Sequence, residues 1–263
     1  FAIAQVPKIV GESITKIFVS TSAMFVLTDL GNVYSCGANG SGALGVGDLV
    51  DRNMFTKTLV LSNIIDLSVA NGSDADAYHC LAVTSSGALY AWGHNAVGQL
   101  GDGTTVNKST PTLISGGAIS GKTITKCYAF GGGSAGYSFV LDSNNDIYST
   151  GYNTSGNLGL GDTTNRNAFT KVSTLKASAV YGSQAPNGTY ANSSVFILWQ
   201  GNLWGTGENS YGELGVNDTI DKVSFTALSG ISNVASLTIS NGYANAGSSV
   251  AALLTDGTIR SWG

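Results

Sequence analysis

The chain has 263 residues, enough to bury a core without disulfide staples, and glycine fills 36 of its positions while charged residues make up only 11%. An apolar share of 43% excludes a disordered chain, and three prolines exclude a collagen-like one. No apolar run approaches the ~18 residues of a membrane-crossing helix. A net charge of −4 with 12 scattered Lys and Arg lacks the cation cluster that nucleic acid calls for, so no nucleic-acid partner and no membrane span are expected.

In chain order, apolar residues alternate or cluster in short runs bounded by Gly, Asn, Asp and Ser, which predicts strands and not helices. The first run is residues 5–10, around Pro7. The turn Asp29-Leu30-Gly31 then leads into Gly31-Asn-Val-Tyr-Ser-Cys-Gly37. The next stretch predicts four strands, at residues 64–70, 79–84, 88–92 and 110–114. Between second and third strands lie tight turns at Ser85-Ser86-Gly87, Ser143-Asn144-Asn145, Gln200-Gly201 and Asp256-Gly257, where Gly or Asn supplies a positive φ. The closing stretch predicts strands at 234–239, 250–254 and 258–262, with no fourth.

These elements repeat. Gly31-Asn-Val-Tyr-Ser-Cys-Gly37, Gly87-Ala-Leu-Tyr-Ala-Trp-Gly93, Asn145-Asp-Ile-Tyr-Ser-Thr-Gly151, Gly201-Asn-Leu-Trp-Gly-Thr-Gly207 and Gly257-Thr-Ile-Arg-Ser-Trp-Gly263 start 56, 58, 56 and 56 residues apart. Four continue into Asn-x-x-Gly-x-Leu-Gly, beginning at Asn39, Asn95, Asn153 and Asn209. Four strands per period form one antiparallel sheet, and stacking such sheets around an axis buries their faces. The expected fold is therefore all-β: a β-propeller of four-stranded antiparallel blades in one domain, with periods at about 11–62, 63–118, 119–175, 176–230, and 231–263 plus 1–10. Residues 5–10 match the fourth-strand position, which favours a closed five-bladed ring in which they complete the last blade.

The stretch Leu89-Tyr-Ala-Trp-Gly-His-Asn-Ala-Val-Gly-Gln-Leu-Gly101 resembles the repeat signature of the regulator of chromosome condensation family, and the likeness extends over essentially the whole chain. The resemblance implies a propeller usually of seven blades, about 390 residues at this period. Part of such a propeller is the alternative to the five-bladed ring. It also implies a nucleotide-exchange regulator of a small nuclear GTPase, or, as in some bacterial members, an inhibitor of a secreted enzyme. The chain opens on Phe1 with no basic segment leading into an apolar one, so a processed chain or a fragment is expected.

A structural role is read for Gly37, Gly42, Gly45, Gly93, Gly98, Gly101, Gly151, Gly156, Gly159, Gly207, Gly212 and Gly215, with Leu44, Leu100, Leu158 and Leu214 plugging between blades. Closely spaced glycines without a following helix do not make a phosphate cradle. Asp48, Asp162 and Asp218 are the residues that calcium would use, but their spacing lacks the nine-residue repeat of calcium-binding solenoids. His79 and His94 lack converging partners, and Cys36, Cys80 and Cys127 sit in strand-like stretches; no enzyme activity, metal or cofactor is expected. The loops between first and second strands do not repeat, and four carry a Tyr among small residues, a composition suited to recognition. The binding candidates are Asp74, Asp76, Tyr78, Tyr137, Asn187, Tyr190, Tyr243 and Asn245, facing a protein or a glycan. Low charge and abundant Gly, Ser, Thr and Asn suggest a structural or interaction module of an extracellular or virion surface, such as a phage fibre or decoration.

Overall fold

The computed structural model describes residues 9, 11–71, 77–183, 193–240 and 247–263. The first sheet holds β1 (Ile14–Val19), β2 (Ala23–Thr28), β3 (Val33–Gly37) and β4 (Arg52–Lys57). The second holds β5 (Ile64–Val69), β6 (His79–Thr84), β7 (Leu89–Gly93) and β8 (Lys108–Ile114). The third holds β9 (Ile124–Phe130), β10 (Tyr137–Asp142), β11 (Asp146–Gly151) and β12 (Arg166–Lys176). The fourth holds β13 (Ala179–Gly182), β14 (Ser194–Trp199), β15 (Asn202–Gly207) and β16 (Lys222–Ala227). Among the described residues the fifth has three strands, β17 (Val234–Ile239), β18 (Val250–Leu254) and β19 (Ile259–Trp262). All neighbours are antiparallel and consecutive, the fold read from the sequence.

Strand ends shift slightly from the expected bounds for a reason visible in the pairing. Gly93 pairs with Lys108 across an irregularity after Ala91, so β7 is displaced one residue toward its C-terminal end and β8 starts two residues earlier than the apolar pattern suggests. The same break recurs before Gly37, Gly151 and Gly207. A second shared irregularity follows Ile14, Ile64, Ile124 and Val234 in the first strands of four sheets. Each bulge adds local twist.

The hydrophobic cores lie between sheets. One cluster joins Phe25, Leu27 and Leu44 of the first repeat to Leu67, Cys80 and Trp92 of the second. The next joins Leu81, Val83 and Leu100 to Cys127, Val140 and Phe169, and two more join third to fourth and fourth to fifth sheets. Alternate residues of one strand thus serve opposite neighbours: Leu81 and Val83 face the third sheet, Cys80 and Ala82 the first. Burying one Phe or Leu side chain in this way contributes about 1.5–3 kcal/mol. The arrangement is that of propeller blades leaning on one another.

Third strands also reach back to the preceding repeat. Trp92 Nε1 donates to Ala43 O at 2.8 Å, and Trp262 Nε1 to Glu213 O at 2.8 Å. In the two repeats between them a threonine does the same work, with Thr150 Oγ1 donating to Gly98 O and Thr206 Oγ1 to Gly156 O, both at 2.9 Å. The segment expected to complete the fifth sheet, 5–10, falls almost wholly outside the described residues.

Candidate functional site

In an antiparallel sheet of consecutive strands, the loops after the first and third strands emerge at the same end. In the first four repeats the turn after the third strand is built from a fully buried asparagine. Asn153 Oδ1 accepts from Leu158 N at 2.9 Å, while its Nδ2 donates to Asp162 O at 2.9 Å and Thr164 O at 3.1 Å. Asn39, Asn95 and Asn209 make the equivalent bonds to Leu44, Leu100 and Leu214 and to the carbonyls of Val50, Val106 and Ile220. A side chain that supplies donor and acceptor together holds the backbone in place of a ladder. The four leucines are buried, and Gly156 (φ +76°) leaves room for Val223 of the next sheet, whose Cα lies 2.6 Å from where a Cβ would sit.

The aspartates of these turns are engaged by protein cations. Arg166 donates to Asp162 at 2.6 Å, Lys222 to Asp218 at 2.8 Å, and Arg52 to Asp48. The side-chain hydrogen bond from Arg52, Arg166 or Lys222 holds each carboxyl below the usual aspartate range, with a backbone N–H adding to the effect. Each carboxylate therefore fastens the turn to the start of its own fourth strand, in place of the calcium role considered for it. In the second repeat, Asp102 fills the role with Lys108 at 3.2 Å.

Two recognition candidates need correction. Tyr78 and Tyr137 are buried, with Tyr78 Oη donating to Ala38 O at 2.6 Å and Tyr137 Oη to Ser183 O at 2.8 Å. Tyr78 packs edge-on to Phe25 of the first sheet, centroids 6.2 Å apart. Both rings tie neighbouring repeats together and are not free to meet a partner. Asp74, Asp76, Asn187, Tyr190, Tyr243 and Asn245 lie outside the described residues. His79 is buried with Nε2 2.8 Å from Ser138 Oγ, and burial pushes its pKa down to about 3, so it is a neutral interior residue. Burial pushes all three thiols up.

What the rim does expose was not singled out by sequence. Val50, Val106 and Ile220 stand at one repeat position, each directly before the residue that accepts from the buried asparagine's own N–H, and all three are exposed. Leu49 beside Val50 is also exposed. The third repeat has Thr164 there. At the opposite end, the exposed Leu30 belongs to one repeat alone, since Ser86 and Asn144 replace it in the next two. The signal available in the sequence was an apolar residue recurring inside an otherwise polar turn.

Comparison with known proteins places the arrangement. Residues 86–134 match the regulator of chromosome condensation (RCC1) repeat. The chain is 32% identical over 231 residues to the ultraviolet-B receptor UVR8 of Arabidopsis thaliana, covering 88% of this chain and 48% of the receptor, so it spans about half of that relative's length. It superposes on yeast RCC1 (Prp20), solved bound to Kap60, with a TM-score of 0.73 and 17% identity, over 96% of this chain and 56% of the yeast chain. A second structure, of Prp20p from Saccharomyces cerevisiae, described with its binding properties to Gsp1p and histones, gives a TM-score of 0.65 at 19% identity over 90% and 56%. The repeat signature, the sheet order and these matches agree: the chain is a β-propeller protein of the RCC1 repeat family.

Proposed function

We propose that the chain is a non-catalytic, protein-binding repeat domain that works through the rim of braced turns. The observation that carries this reading is the exposed apolar position shared by Val50, Val106 and Ile220 on turns pinned from beneath by a buried asparagine. These side chains contribute to none of the cores described above, and a partner that covers them gains burial while the prefixed backbone loses little entropy. The relatives support a protein partner: yeast RCC1 is solved with Kap60, and Prp20p is described as binding Gsp1p and histones.

They also support a regulator of the kind the family name implies over a module of an extracellular or virion surface, and nothing in them favours a glycan. The test is capture of a partner by the wild-type chain, followed by its affinity for the triple variant Val50→Asp, Val106→Asp, Ile220→Asp. Exposed sites tolerate such changes within ~0.5 kcal/mol, so Tm should hold while binding weakens about tenfold or more. Equal affinity for both proteins would remove the rim as the site. Release of labelled GDP from a small GTPase, faster with wild type and not with the triple variant, would select the exchange-regulator reading; release unaffected by wild type would discard it.

A further inference from the structure

The turn after the third strand carries charge in the fourth repeat that the other repeats do without. Just before the buried asparagine the first three repeats have Ala38, His94 and Tyr152, and the fourth has Glu208. Four residues after that asparagine they have Ala43, Gln99 and Asn157, and the fourth has Glu213. Asn107 and Asn165 accept from the N–H of the buried asparagine in the second and third repeats, whereas Asp221 accepts it in the fourth, at 2.9 Å. An uncharged side chain therefore suffices for the turn at each of the three positions.

The uncharged versions are also better satisfied. Gln99 Nε2 lies 3.0 Å from His94 Nδ1, and Asn157 Nδ2 donates to Tyr152 O at 2.8 Å. Glu213 has no N–H to give. Its side chain is fully buried, its Oε2 accepts from Tyr211 N at 2.9 Å, and its Oε1 has no hydrogen-bond partner among the described residues. Gly247 of the next repeat lies against it, with its Cβ position 2.8 Å from Oε1, and the adjoining Ser248 is buried with an unpartnered Oγ. Glu208 is half-buried and Asp221 exposed, so these two form the accessible part of the cluster. Burial first, then the neighbouring Asp221 and Glu213 carboxylates, push the Glu208 carboxyl above the usual glutamate range. None of the three forms an ion pair among the described residues, and Lys222, next to Asp221, is held by Asp218 at 2.8 Å.

The same turn has apolar walls. Tyr211 stands where the first three repeats have Ser41, Val97 and Ser155, and it is 51% exposed; the exposed Ile220 directly precedes Asp221. Uncompensated carboxylates beside a ring and an aliphatic side chain match a flat cation on an apolar stem. Among the described residues no group of three acidic, His or Cys side chains is arranged to hold a metal ion, which sets an organic cation ahead of a metal. We infer that Glu208, Asp221 and Tyr211 form a receptor for an arginine side chain of a protein partner, with Glu213 as a fixed negative charge beneath them. This rests on the protein-binding reading of the rim and names the chemistry that its fourth turn takes.

The probe is the peptide acetyl-Gly-Gly-Arg-Gly-Gly-amide, titrated into the isotope-labelled chain. Amide shifts at Asn209, Tyr211, Ile220 and Asp221 should saturate, and the peptide with Gln in place of Arg should bind about tenfold or more weakly. The variant Glu208→Gln, Glu213→Gln, Asp221→Asn should keep the wild-type Tm and lose about tenfold or more in affinity for the Arg peptide. Equal binding of the two peptides, or equal binding by wild type and variant, would overturn the inference. So would calcium chloride alone shifting the same amides and displacing the peptide, which would name a metal site instead. A captured partner separates this inference from the rim reading. Affinity lost with Val50→Asp, Val106→Asp but kept by the carboxylate variant would leave the apolar rim standing and remove the arginine receptor. Affinity lost only with the carboxylate variant would leave the receptor and remove the apolar rim.

Discussion

Trp92→Ala is expected to destabilise the protein by about 4 kcal/mol, among the largest effects of any single substitution in it. The indole is fully buried between the first two sheets, where it shares a cluster with Phe25, Leu44 and Cys80, and its Nε1 donates to Ala43 O. Alanine leaves both a cavity and a carbonyl that keeps only the weak contact of Cys80 Sγ at 3.6 Å. Trp92→Phe retains most of the volume and gives up the strong donor, so its cost should be about 1–2 kcal/mol. Trp262 occupies the equivalent place in the fifth repeat and donates to Glu213 O, but it is only partly buried. Trp262→Ala should accordingly cost less than Trp92→Ala. Denaturant unfolding of the three variants checks the order, and a Trp262→Ala loss equal to that of Trp92→Ala would mean the two joints are covered alike.

Gly151→Ala should cost about 3 kcal/mol or more, although it adds a single methyl group. Gly151 holds φ +102° at the end of β11, and an added Cβ would lie 2.5 Å from Gly136 O and 2.7 Å from Tyr137 Cα. Both are backbone atoms, one at the start of β10 and one in the residue leading into it, and cannot swing aside. Gly103 separates the two contributions: its φ is +84°, yet nothing lies within 4 Å of its Cβ position. Gly103→Ala should therefore show the dihedral cost alone, about 1 kcal/mol. Equal losses of stability at the two sites, measured by thermal unfolding, would show that close approach of strands contributes nothing at Gly151.

The sheets were legible because period-2 apolar alternation and a Gly or Asn between second and third strands are local signals. Asn145, Gln200 and Gly257 take the positive φ their hairpins need. Relations between repeats were less visible. That Trp92 and Thr150 perform one task depends on a carbonyl in the repeat before, and no spacing within a repeat reports it. Tyr78 and Tyr137 misled for a similar reason: a ring among Gly, Ser and Ala has the same composition whether it lies on a rim or sends its hydroxyl inward to a carbonyl 40 or 46 residues away. Val50 and Val106 stand in polar turns outside every predicted strand, and only the bonds from the buried asparagine to their carbonyls show that these turns are braced and hold the side chains on the rim.

The account stands on cores that lie between successive sheets, and a double-mutant cycle across the first joint tests this most directly. Phe25 of β2 and Tyr78, the residue leading into β6 of the second sheet, meet edge to face at an interplanar angle of 81°. Phe25→Leu and Tyr78→Leu, singly and together, should give a coupling of about 0.5–1.5 kcal/mol. Losses that simply add would place the two rings apart and contradict the packing of one blade on the next.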